Sequence, residues 1–227
     1  MSTRELRFTV DLPSDMWRKP QVPVGAEGAM IGWVRDVAPI EDGIPETVAL
    51  VITRALTSQY SLTFSDPNIG RSGQWENRGT YATRFLKPAG ILRLNPSAGY
   101  SLTNTSDPDA AVRLFDTDES LWVEQLQVVF LSSKECQPPE MSFQALHNFL
   151  RWRTLDCGRL QSEFGSIGLL TPGPDGDFAQ VILCQPGAMN EFKRSLRIAS
   201  DAAGLHFAEV SRLEFERTKW FLEKVGT

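Results

Sequence analysis

The chain has 227 residues, 41% hydrophobic and 10% aromatic, enough for one large domain or two small ones, so disorder is excluded as the default. Its 23 basic against 28 acidic residues leave a net charge of −5, the wrong sign for a protein that holds nucleic acid mainly by neutralising phosphates. Met1 to Val10 lacks the continuous apolar run of a secretory signal, and no window approaches the roughly 20 apolar residues of a membrane helix. The expectation is a cytoplasmic protein with no membrane contact.

Leu6, Phe8, Val10 and Leu12 alternate with Arg7, Thr9 and Asp11, the period-2 signature of a strand with one wet face, ended by Pro13. Ala29 to Val37, Thr47 to Leu56 and Gln59 to Phe64 are rich in Val, Ile, Thr or aromatic residues and bounded by Gly, Pro or Asp, which predicts three more strands. Trp75 to Leu86, Ile91 to Leu94, Gly99 to Thr103 and Val112 to Phe115 continue that series at short spacing. Leu121 to Leu131 is apolar on both alternate faces, so it reads as a central strand covered on both sides, with a helix as the other reading.

The pattern then changes. Residues 132–141, with Pro138 and Pro139, are the candidate boundary, and Ser142 is placed to cap a helix over Phe143 to Arg153 whose Phe143, Leu146, Phe149 and Leu150 share one face. Gly168 to Thr171 and Phe178 to Leu183 form a hairpin around a turn supplied by Pro, Asp and Gly. Met189 to Ala202 is an amphipathic helix closed by Gly204, where a left-handed residue is wanted. Leu205 to Val210 reads as a strand and Ser211 to Val225 as a last helix.

The predicted fold is α+β. A β-rich, mainly antiparallel N-terminal part, 1–131, forms a sandwich, barrel or broad sheet, and a C-terminal part, 142–227, with two to three helices and a hairpin packs on it as one compact unit. No fixed-period repeat appears.

Chemistry is sparse. Cys136, Cys157 and Cys184 are an odd number without close pairing, which argues against a disulfide framework and for a reducing compartment. Cys184 stands where a strand ends before a Pro-Gly break and a helix, a place that can stabilise a thiolate. A phosphatase loop needs arginine six residues later, and position 190 is Asn. A thiol hydrolase needs a histidine base, yet His147 lies beside an apolar helix face and His206 sits in no catalytic signature. Filler is the default reading of Cys184.

Asp107, Asp109, Asp116, Asp118 and Glu119 fall within thirteen residues, a density that can hold a hard cation or divide acid and base roles. The same residues are ordinary turn and helix-cap chemistry, and the rhythm of an EF-hand is missing. Phosphate loops are also missing by spacing, and neither a cofactor nor a metal site is expected.

Trp17 and Trp75 lie in polar surroundings beside Arg18 and Arg78, which suits an interface, whereas Trp33 and Trp122 lie in strand patterns and read as core. The expected function is a non-catalytic protein-interaction or assembly subunit, with a protein partner or self-association. One alternative is a small hydrolase or lyase using Asp107, Asp109, Asp116 or Cys184. A second is single-stranded nucleic-acid binding, since Arg71, Arg78 and Arg84 sit among Trp75 and Tyr81.

The opening FTVDLPSDMW followed by two strands, and the ending DFAQVILCQPGAMNEFKRSL as strand then helix, resemble the frame of small PsbP-like binding proteins. The resemblance covers the two ends and not Ser58 to Leu131, and it implies binding.

Overall fold

The computed structural model describes residues 3–11, 22, 25–35, 44–67, 92–94, 100–115, 128–134, 157–172 and 178–217. Nine strands among them form one sheet: β1 (Thr3–Thr9), β2 (Glu27–Arg35), β3 (Tyr60–Pro67), β4 (Leu92–Leu94), β5 (Tyr100–Thr105), β6 (Val128–Ser133), β7 (Gly168–Pro172), β8 (Phe178–Leu183) and β9 (His206–Glu209). Their order is β4-β5-β3-β6-β7-β8-β2-β1-β9. Every pairing is antiparallel except β1 with β9. The described helices include α1 (Glu46–Thr57), α2 (Pro108–Val112), α3 (Cys157–Phe164) and α4 (Ala188–Ala202), and residues 212–217 are also helical. The protein is therefore a mixed α and β fold on one mainly antiparallel sheet, and β7 and β8 lie inside that sheet, between β6 and β2.

Two predicted strands are not strands. Thr47 to Leu56 belongs to α1, because Val48, Val51, Ile52, Ala55 and Leu56 recur at the helical period and all are buried. The β-branched residues that favoured a strand pack on that face equally well. Val112 ends, and Arg113 to Phe115 turn out of, the short helix α2, opened by Asp107, whose carboxylate accepts the N–H of Asp109 at 3.0 Å, and by Pro108 in the first turn. Residues 75–86, 121–127 and 143–153 lie outside the described residues.

One face of the sheet carries α1 and α4. Leu6, Phe8, Ile31, Leu62, Phe64 and Leu131 meet Ile52, Phe192 and Leu196 there in a single buried core. On the opposite face Phe164 of α3 stacks on Phe130 at 5.0 Å between ring centroids, and Phe215 meets Phe178 edge-on at 6.0 Å. With both faces covered, β7 and β8 are buried throughout.

A topological repeat emerges that no residue period announces. An antiparallel pair, a helix and a strand follow one another as β1-β2-α1-β3 and again as β7-β8-α4-β9. In the second unit the closing strand β9 lies parallel to β1. In the first, β3 runs parallel to β7 with β6 interposed, since both of its pairings with β6 and of β6 with β7 are antiparallel. The two units meet where β2 pairs with β8, so α1 and α4 pack side by side in opposite directions on one face. That packing brings the end of α1 to the start of α4.

Candidate functional site

Gln185-Pro186-Gly187-Ala188 turns the chain from β8 into α4. The Ala188 N–H donates to the Gln185 carbonyl at 3.2 Å, and Gly187, at φ 79°, holds the left-handed position that a side chain would strain. Glu27, the first residue of β2, reaches this turn. Its carboxylate accepts the N–H of Gly187 at 3.2 Å and of Met189 at 3.0 Å. A negative charge thus already occupies the positive end of the helix, and the Asn190 N–H is directed to the Gly187 carbonyl at 3.3 Å.

Beside the turn lies an open pocket of about 380 Å³, with Gln59 and Tyr60 on one side, Gln185, Gly187 and Glu191 on the other and Ser133 between them. Tyr60 is 3% exposed, and its hydroxyl has no hydrogen-bond partner among the described residues. Burial first, and the Glu191 carboxylate second, push the Tyr60 phenol above its ordinary value. Glu191 itself is exposed, in the first turn of α4, and forms no ion pair among the described residues. Neither Lys nor Arg lines the pocket among the described residues, and Lys134, next in the chain to Ser133, is exposed outside it. Its described lining holds one carboxylate, Glu191, and the amides and hydroxyls of Gln59, Gln185, Tyr60 and Ser133.

Cys184 borders this pocket through Gln185, but it is bonded to Cys157 at the start of α3, with 5.8 Å between the α carbons. This corrects two expectations. The cysteines do form a disulfide, and Cys184 in that state has no thiolate to attack with. Sequence separation of 27 residues concealed the pairing, because α3 lies against the sheet face opposite α4 and its first residue meets the end of β8. His206, the base considered for it, is exposed on the edge strand β9, with β2 and β1 between that strand and β8.

Asp107 caps α2, and Asp109 lies 3.8 Å from Arg54 in an exposed ion pair, so these two carboxylates have local structural partners. No group of three or more His, Cys, Asp or Glu able to hold a metal occurs among the described residues. Trp33 is buried in the core. Trp17, Arg18, Trp75, Arg78, Asp116, Asp118, Glu119, Trp122, Cys136 and His147 lie outside the described residues, as do Arg71, Tyr81 and Arg84. No helix among the described residues is long and apolar enough to cross a membrane.

Sequence reasoning did not find Glu27, Gln59, Tyr60 or Glu191. They come from separate segments and carry no motif spacing, and the only local signal was the Pro-Gly turn before an amphipathic helix. No family model, curated protein or solved structure matches the chain, and the PsbP-like frame at its two ends gains no support from them.

Proposed function

We propose that this chain is a non-catalytic interaction protein that engages a partner protein, or a second copy of itself, at the pocket between the start of β3 and the start of α4. The observation that supports this reading is the lining of that pocket. Gln59, Tyr60, Gln185 and Glu191 form a concave polar surface with one carboxylate on a sheet-and-helix frame, while the neighbouring sulfur of Cys184 is held in a disulfide. These groups bind and orient. The disulfide also favours an oxidising compartment over the cytoplasm expected from cysteine count, since such bonds persist where thiols are not kept reduced.

Photo-crosslinking from the pocket rim tests the reading. With a photoreactive amino acid in place of the exposed Gln185, irradiation in the native host should give a discrete protein adduct, identified by mass spectrometry as another protein or as the same chain. A matching residue at exposed Arg159 should not give it. Adducts at neither position, together with turnover of an ester or amide substrate abolished by Glu191→Gln, would replace the binding reading with an enzymatic one.

A further inference from the structure

We propose that the pocket beside α4 takes a primary ammonium group, the side chain of a lysine or a free amino terminus. The inference rests on reading this pocket as the binding surface and adds the chemistry of what enters it.

Three observations converge. The helix start, ordinarily a place for anions, is closed to them, because the Glu27 carboxylate already receives the N–H groups of Gly187 and Met189 and the Ala188 N–H is engaged by Gln185. An incoming anion would meet Glu191 with no cation in the described lining to offset it. The acceptors that remain are of the kind an ammonium requires. Glu191 offers a carboxylate, Gln59 and Gln185 offer amide oxygens, and Tyr60 lines the pocket with a hydroxyl that has no hydrogen-bond partner among the described residues.

An ammonium has three donors and no acceptor, so it can satisfy the carboxylate and two neutral oxygens together. A guanidinium is less suited, since its planar fork favours paired contacts with a carboxylate face, and Glu191 is the only carboxylate in the described lining. Burial is the larger cause of the upward shift of the Tyr60 phenol, and the Glu191 charge adds a smaller share that a bound cation would reduce. A cavity of about 380 Å³ accommodates one extended side chain or a chain terminus and not a folded segment.

Titration of the full-length, disulfide-bonded protein, followed by amide NMR, tests this with four probes. N-acetyl-lysine methylamide presents a side-chain ammonium, alanyl-alanine amide presents a free amino terminus, N-acetyl-norleucine methylamide is the uncharged counterpart of the first, and inorganic phosphate is an anion. One or both ammonium probes should shift the amides of Gln59, Tyr60, Gln185 and Glu191 saturably, and which of them binds identifies the source. Glu191→Gln should weaken that binding tenfold or more with the spectrum otherwise preserved, and Tyr60→Phe should weaken it less.

Norleucine binding as well as lysine, phosphate displacing either, or an undiminished affinity in Glu191→Gln would overturn the proposal, as would the absence of saturable shifts with both ammonium probes. A crosslinked protein partner at Gln185 with no ammonium binding would remove this inference and leave the interaction reading. Ammonium binding without any protein adduct would do the reverse and point to a small amine.

Discussion

Glu27 holds Met189 by its backbone N–H at 3.0 Å, joining the first residue of β2 to the first turn of α4 across 162 positions of sequence. With Gly187 as its second donor, this carboxylate does the work of an N-cap that Gly187, lacking a side chain, cannot do for its own helix. Glu27→Ala should therefore lower stability by about 1 to 2 kcal/mol, the range for losing a charged cap. Glu27→Gln should lose less, because an amide oxygen still accepts. Urea unfolding of the three proteins measures this, and coincident midpoints would show that the cap contributes nothing.

Cys157–Cys184 closes a loop spanning 27 residues and ties α3, on one face of the sheet, to the turn that starts α4 on the other. Restricting the unfolded chain over a loop of that length stabilises by about 3.5 kcal/mol. The double substitution Cys157→Ser/Cys184→Ser should lower the unfolding free energy by that amount, with the urea midpoint falling accordingly, and dithiothreitol should move the parent protein to the same place. Because the pocket rim at Gln185 adjoins Cys184, the reduced protein should also exchange the amides of Gln185, Gly187 and Ala188 faster. A midpoint indifferent to reductant would contradict the first expectation, and unchanged exchange the second.

What could be read from the sequence was period and punctuation. The hairpin of β7 and β8, the amphipathic run of α4 and the left-handed Gly204, at φ 72°, each depend on neighbours within a few residues, and each occurs where the pattern put it. Segment α1 was misread because Val48, Val51 and Ile52 satisfy both a strand's preference for branched side chains and a helix's spacing, and packing against α4 decides between them. The pocket was not legible at all. Tyr60 and Glu191 are brought together only when the second hairpin-helix unit lies against the first, a contact no local spacing encodes.

Thr171 and Gln180 oppose one another on β7 and β8, both buried, and neither the Thr171 hydroxyl nor the Gln180 side-chain nitrogen finds a partner among the described residues. Desolvation of that hydroxyl is uncompensated, and valine has nearly its shape. Thr171→Val should stabilise by about 1 kcal/mol. Thr63 is the control, since its hydroxyl accepts the Asn104 side-chain amide at 2.8 Å and the same Asn104 accepts Ser61 at 2.9 Å. Thr63→Val should destabilise by about 1 to 3 kcal/mol by leaving the Asn104 donor buried and unmet. Thermal unfolding that gave both variants the same sign would refute this account of the sheet's polar positions.

Tyr60 links the site to alkaline stability. Its ordinary value is 10.0, and burial, with the Glu191 charge as the smaller cause, raises it in the folded protein. The folded state therefore keeps a proton that the unfolded chain releases first. The stability this contributes is fully present below pH 10.0 and is lost progressively as pH rises from there through the higher folded value. Tyr60→Phe removes the ionisation and should flatten the decline of the urea midpoint above that pH. Glu191→Gln should leave most of the decline, because burial is the larger cause and the substitution does not change it. An equal flattening in both variants would reverse that order, making the Glu191 carboxylate the dominant influence on the Tyr60 phenol.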